Sequence, residues 1–291
     1  MRLSLTLVSL ILAVSCASPD NAPLRPPAPD FPELENLDLS GGVDCTGDYA
    51  AAITGRIVDD EGNPVEGGRA QLCIHRVDGN FICLSPALSD PSGWWVRPVN
   101  EEHRCIDRVA LRTTSPLERI ATSYCPVDLS VEDGIYEHPV DIVVYELDDV
   151  ALPPIGDETA PREVTIGDGL VLTNIVPERF FGRYEEIGAT RVEAPCFAGD
   201  MNLDGVYALG PEALPSEEGF NVRVPNATDL PDGTRVEFFI LGGLFTVLLD
   251  ETVVEESTLA KFGEGTVMGD TIVGDSDARL TELTWLAYRA L

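Results

Sequence analysis

The sequence has little positive charge, and lysine is almost missing from it. Lys261 is the only lysine, and 19 basic residues face 50 acidic ones, which gives a formal net charge of −31. A chain with this balance repels phosphate backbones and anionic lipid headgroups. We therefore expect no nucleic acid partner, and we expect any attachment to a membrane to be covalent or hydrophobic.

Catalytic motifs are also missing. The chain contains no G-x-S-x-G, P-loop, G-x-G-x-x-G or H-E-x-x-H motif. Its three histidines, His75, His103 and His138, lack the short spacings that place two of them on one metal ion. A Gly-Asp-Ser-Asp segment at 274–277 is interpreted as a turn, since no histidine follows it. We predict that the protein is not an enzyme, and a hydrolase with an unrecognised site is the alternative.

No apolar run is long enough to cross a bilayer, which takes roughly 20 residues. Instead, Met1-Arg2 precedes a mostly apolar run of twelve, Leu3 to Val14, which is typical of a signal peptide. The run ends at Ala13-Val14-Ser15-Cys16, which resembles a bacterial lipobox with Ala13 where leucine is usual. The resemblance implies a signal peptide over 1–15, lipidation at Cys16 and anchoring to the outer membrane or cell surface. Ordinary signal cleavage and secretion is the alternative.

The cysteines favour an exported protein. With Cys16 set aside for lipid, an even set of six is left: Cys45, Cys73, Cys83, Cys105, Cys125 and Cys196. An even set in an exported chain indicates disulfides, and the absence of C-x-x-C argues against zinc. The spacing suggests Cys73–Cys83 across a hairpin, or Cys83–Cys105. Complete pairing would force Cys196 to bridge back to the earlier region.

The distribution of proline divides the chain. Residues 16–45 are rich in proline and acidic residues and predict a disordered tether. Short alternating strands with frequent turn signals then indicate an all-β fold with two β-sandwich domains in tandem, at 46–149 and 162–291. A second proline-bearing segment, 150–161, is the predicted linker between them.

The first domain carries a recognisable pattern. Residues 54–73 read TGRIVDDEGNPVEGGRAQLC, and Ser89 to Val96 add a second turn that runs into a strand. Together they resemble the carboxypeptidase regulatory-like domain, a small transthyretin-like β-sandwich. Trp94 and Trp95 stand where that family has one phenylalanine. Adjacent strand residues point to opposite faces, so we expect at most one to be core, and an exposed one could stack on a sugar.

The second domain resembles the ZU5-like β-sandwich of bacterial surface proteins. Its segments at 209–214 (LGPEAL), 230–234 (LPDGT) and 265–267 (GTV) match the pattern of that family, with Phe220 opening a strand that ends in proline. The resemblance implies protein interaction or mechanical linkage and no catalysis.

One segment suggests a cation site. Asp200, Asn202 and Asp204 precede Gly205 at the spacing of a calcium loop. The twelfth position is Pro211 where a bidentate glutamate is needed, so this is not an EF-hand. Calcium is the one cofactor that the sequence suggests, and a polar hairpin turn is the alternative.

We therefore predict a non-enzymatic cell-envelope lipoprotein that acts as a binding or structural module. Its expected partners are the membrane, through the lipid anchor, and an envelope protein or glycan. A calcium- or carbohydrate-dependent adhesive module is the alternative within the non-enzymatic class.

Overall fold

The computed structural model describes residues 25–39, 45–114, 119–129, 134–193, 195–198, 201–212, 216 and 218–291. The fold in these ranges is all-β, as predicted, with 3₁₀ turns at Pro32–Leu34, Glu101–His103, Pro177–Phe180 and Tyr184–Glu186. None of the described helical segments has the length and apolar character needed to cross a membrane. The predicted signal peptide at 1–15 and the lipidation site at Cys16 lie outside the described residues.

The N-terminal half, defined here as residues 45–149, contains ten described strands. They are β1 (Asp48–Tyr49), β2 (Ala52–Val58), β3 (Arg69–Arg76), β4 (Phe81–Cys83), β5 (Ala87–Leu88), β6 (Trp94–Pro98), β7 (Cys105–Thr114), β8 (Ser123–Val127), β9 (Ile135–Glu137) and β10 (Ile142–Val143). One described sheet runs β1-β7-β3-β4, with β5 beside β3 and β8 beside β7. The other runs β10-β2-β6, with β9 also beside β2. Their facing apolar side chains enclose one core.

The first sequence motif forms the turn that it predicts. The Asp59 carboxylate accepts hydrogen bonds from the backbone amides of Glu61 and Asn63 at 3.0 and 2.7 Å. Gly62 has a φ of +85°, a conformation that glycine adopts without steric cost. The Val65 amide then donates to Ile57 O at 3.1 Å, which returns the chain to the sheet.

The C-terminal half, residues 150–291, also contains ten described strands. They are β11 (Arg162–Ile166), β12 (Leu170–Ile175), β13 (Gly188–Arg191), β14 (Gly205–Gly210), β15 (Phe220–Pro225), β16 (Arg235–Leu241), β17 (Leu259–Met268), β18 (Thr271–Gly274), β19 (Arg279–Leu280) and β20 (Trp285–Ala290). Within the described residues they form one sheet in the order β11-β12-β15-β18-β17-β16-β20-β14-β13, with β19 beside β15. Gly167, after the edge strand β11, approaches the backbone of Ala189 in the opposite edge strand β13. The sheet therefore curls nearly into a barrel around its core.

The prediction that one of the two tryptophans would be exposed is wrong. Trp94 and Trp95 are 2% and 1% exposed. Trp95 lies in the core of the N-terminal half, whereas Trp94 faces the other way and is covered by the N-terminal segment. The Arg25 guanidinium lies 4.4 Å from the centre of the Trp94 ring. Neither ring presents a face on which a sugar could stack.

The described part of the predicted tether, residues 25–39, is also ordered against the N-terminal half. Arg25 donates to His138 O at 2.5 Å and forms an ion pair with Asp141 at 3.0 Å. Further along, Arg104 donates to the backbone oxygen of Asp38 at 2.6 Å. A disordered tether over all of 16–45 is therefore wrong for these residues. The composition does not reveal the docking because its hydrogen bonds join residues that are 113 and 66 positions apart in the chain.

The predicted linker at 150–161 packs on the C-terminal half. Leu152 and Ile155 lie against the core of that half. The Tyr184 hydroxyl donates to Pro153 O at 3.1 Å, and Arg162 donates to Pro154 O at 2.7 Å. These contacts fix the segment along the surface of the second sheet.

Candidate binding cleft

The two halves are joined by a disulfide between Cys125 in β8 and Cys196. The described cysteines form two further bridges, Cys45–Cys105 and Cys73–Cys83. The predicted disulfide framework is therefore present. The hairpin candidate Cys73–Cys83 forms because the two residues are direct partners on β3 and β4, and its rival Cys83–Cys105 does not form. Disulfides of this kind indicate an extracytoplasmic protein.

The halves also share an apolar core. Tyr124 and Leu147 from the N-terminal half pack with Phe197, Phe239 and Trp285 from the C-terminal half. The Trp285 indole N–H donates to the backbone oxygen of Thr122 across the interface at 2.7 Å. A buried core with a satisfied polar contact and a covalent bridge holds the two halves in one arrangement.

Ion pairs extend this interface toward the surface. His75 Nε2 lies 2.8 Å from a carboxylate oxygen of Glu256, which is largely buried. Arg108 pairs with Glu255 at 2.7 Å, and another of its nitrogens lies 2.9 Å from His75 Nε2. These contacts join β3 and β7 to the connection between β16 and β17, residues 242–258.

A cleft of about 800 Å³ lies between the halves. One wall is the outer face of β3 and β7, where the alternation of strand residues turns Arg69, Gln71, Arg112 and Thr114 away from the core. Arg69 is the direct partner of Thr114 in the sheet, and Gln71 is the direct partner of Arg112. The two cross-strand pairs form a polar patch on this wall.

The opposite wall belongs to the C-terminal half. It contains Arg183, Glu185 and Glu186 at the Tyr184–Glu186 turn, and Glu212 just after β14. The rest of the described lining comes from the segments between strands: Pro86 before β5, Arg119, Ile120 and Thr122 before β8, Leu147 after β10, and Pro211 just after β14. The cleft therefore exists only because both halves contribute to it.

A buried hydrogen-bond network spans the cleft. Arg112 pairs with the Glu212 carboxylate at 2.5 Å, and its Nε donates to the Tyr124 hydroxyl oxygen at 3.1 Å. The Tyr124 hydroxyl in turn donates to Glu212. Arg112 also donates to the Gln71 side-chain oxygen at 3.1 Å. The network fixes the Arg112 side chain and connects the two walls.

The network keeps Tyr124 protonated. Burial, followed by the negative charge of Glu212, raises the pKa of the Tyr124 hydroxyl well above its usual range. Burial alone would lower the pKa of Arg112, but the hydrogen bond and charge of Glu212 outweigh it, and the net pKa is raised. A protonated phenol and a paired carboxylate are suited to holding a structure together and are poor nucleophiles.

The lining is unusually positive for this chain. Four arginines (Arg69, Arg112, Arg119 and Arg183) and three glutamates (Glu185, Glu186 and Glu212) line the cleft, so the formal charge there is 4 − 3 = +1. The whole chain carries −31. Arg69 forms no ion pair with any residue that the structure describes. The cleft therefore offers a local site for an anion on an acidic protein.

The predicted calcium residues lie elsewhere, next to β14. Asp200 is outside the described residues, and Asn202 is exposed. One oxygen of Asp204 accepts a hydrogen bond from the Ala290 amide at 2.6 Å, so it already has a partner. Among the described ranges, no three acidic, histidine or cysteine side chains come together as a metal site would require. Calcium binding stays a prediction.

No protein-family model matches the chain, and no curated protein matches it. Sequence reasoning did not identify the cleft, because its arginines come from positions 69, 112, 119 and 183 and share no local spacing. One signal was present. Arg69 and Gln71 are polar residues that alternate with the apolar Ala70 and Leu72, a pattern that indicates a strand with one polar face.

Proposed function

We propose that the protein is a non-enzymatic, lipid-anchored module of the cell envelope that binds a ligand in the cleft between its two halves. In this proposal the N-terminal half is a carboxypeptidase regulatory-like β-sandwich and the C-terminal half is ZU5-like. The observation that carries the proposal is that both halves line one cleft while Cys125–Cys196 and a shared core hold them together. A site that is already formed loses little entropy when a ligand binds.

In the anchor proposal, the docking of Arg25 on the folded protein limits its distance from the membrane. Only residues 17–24 lie between Cys16 and Arg25. A fully extended chain covers at most about 3.5 Å per residue, so Arg25 would stay within about 30 Å of the lipid surface. The surface around Trp94 and Asp141, on which Arg25 docks, would therefore lie close to the membrane.

Fractionation of the native host tests the anchor. The wild-type protein should be in the membrane fraction, with a mature N-terminus at Cys16 that carries acyl chains by mass spectrometry. A Cys16→Ser variant should lose the acyl mass and leave the membrane fraction, because no other described feature provides attachment. Ser15→Ala, which keeps a small residue before the cysteine, is the matched control and should behave as wild type. An unacylated wild-type protein in the medium would contradict the proposal.

A further inference from the structure

We propose that the cleft binds a small, hydroxyl-rich monocarboxylate of the sugar-acid class, such as a free uronate. This inference rests on the proposed binding function and names the ligand for the same site. It depends on three features of the cleft: the arginine that has no ion pair with described residues, the net charge of the lining, and the polar groups that can bind hydroxyls.

The free charges favour a carboxylate. Arg69 is exposed and forms no ion pair with the described residues, so its guanidinium can take a ligand without losing a partner. Arg119 is more strongly held, since it pairs with Asp149 at 2.9 Å and also donates to the backbone oxygen of Asp148 at 2.8 Å. The planar donor pair of the Arg69 guanidinium matches the bidentate geometry of a carboxylate.

The number of charges favours a single negative charge on the ligand. The formal charge of the lining is +1, and Glu186 on the opposite wall is paired with Arg183 at 2.8 Å. Glu185, which forms no ion pair with the described residues, would repel a second negative charge. The −31 charge of the whole chain acts in the same direction, since it opposes the approach of any multiply charged anion. A monocarboxylate fits this balance better than a phosphate dianion does.

The other lining groups favour hydroxyls. Gln71, Thr114 and Thr122 offer donors and acceptors, and the carboxylates of Glu185 and Glu186 accept hydrogen bonds from hydroxyl groups. No aromatic side chain is among the described lining residues, so they provide no aromatic ring on which a sugar could stack. A volume of about 800 Å³ suits a ligand of small-molecule size.

Isothermal titration calorimetry of the full chain with three related probes tests the inference. Galacturonate carries the carboxylate, galactose lacks it, and galactose 6-phosphate replaces it with a more highly charged group. Galacturonate should bind at least about tenfold more tightly than galactose, as expected when one charge-assisted contact is added. Equal affinities, or no galacturonate binding at concentrations up to about 50 mM, would overturn the inference. Tighter binding of the phosphate would overturn the argument for a single charge.

A pair of matched variants localises the binding. Arg69→Gln should weaken galacturonate binding about tenfold and leave the melting temperature unchanged, because Arg69 has no ion pair among the described residues to lose. Arg223→Gln removes a similar arginine that lies outside the cleft and pairs only with Glu163 in the described structure, and it should bind galacturonate as wild type does. Wild-type affinity in Arg69→Gln, or equal losses in the two variants, would overturn the assignment.

The outcomes separate this inference from the proposed function. An acylated membrane protein that fails to bind galacturonate would refute the ligand class and keep the anchor. A secreted protein that binds galacturonate through Arg69 would refute the anchor and keep the cleft.

Discussion

The bridge between the halves should stabilise the fold more than the hairpin bridge does. Cys125 and Cys196 are separated by 71 residues, whereas Cys73 and Cys83 are separated by 10. In the chain-entropy treatment the stabilisation grows with the logarithm of the loop length, which gives about 4.4 kcal/mol for the longer loop and about 2.7 kcal/mol for the shorter one. Removal of the bridge between the halves should therefore lower the free energy of unfolding by about 1.7 kcal/mol more than removal of the hairpin bridge does.

The comparison is well matched, because each bridge has one fully buried cysteine and one that is partly buried. Cys125→Ala/Cys196→Ala and Cys73→Ala/Cys83→Ala would be unfolded in urea and followed by tryptophan fluorescence. A difference of less than about 0.5 kcal/mol between the two double variants, which is comparable with the extrapolation error, would refute the reasoning. Such a result would mean that closing the longer loop does not reduce the conformational entropy of the unfolded chain more than closing the shorter loop does.

Three further outcomes follow from buried contacts. Arg25→Ala should uncover Trp94, which gives a red-shifted emission and a loss of about 1 kcal/mol in the free energy of unfolding; an unchanged spectrum would mean that the N-terminal segment does not cover the ring. Tyr124→Phe should cost about 1–3 kcal/mol in urea unfolding because it leaves a buried carboxylate and a guanidinium short of a partner. Tyr207→Phe, which removes a buried hydroxyl with no partner among the described residues, should cost almost nothing, and equal losses would contradict the network. Burial lowers the pKa of His138, so only the unfolded chain gains its proton as the pH drops through about 6.5. Stability should fall below that pH, and urea unfolding of His138→Asn between pH 5 and pH 8 should show a smaller fall; an equal fall would contradict the assignment.

Local patterns predicted the strands well because burial in a sheet alternates. In β15, Phe220, Val222 and Val224 are buried, while Asn221 and Arg223 between them are only partly buried. The hydrophobic alternation at this segment is enough to give the strand and its inner face. The same reasoning holds for the turn at Asp59, whose side chain accepts hydrogen bonds from the backbone amides of Glu61 and Asn63 in that turn.

Long-range contacts could not be predicted in the same way. Trp94 has the outward orientation that the strand gives it, yet it is buried because Arg25 folds back over it from a segment about seventy residues earlier. The even number of cysteines implied that Cys196 bridges back, but its partner Cys125 depends on how the halves pack. The cleft has the same origin, since its walls meet only after both sheets have formed.

Peptide mapping of the unreduced protein by mass spectrometry tests the central claim most directly. If the two halves form one body around a shared cleft, proteolysis without reduction should yield one linked peptide pair that contains Cys125 and Cys196, and reduction should separate it. Free thiols at these two cysteines, or Cys196 bound to any other cysteine, would contradict the account. The cleft between the halves would then lack the covalent link on which the proposed binding site depends.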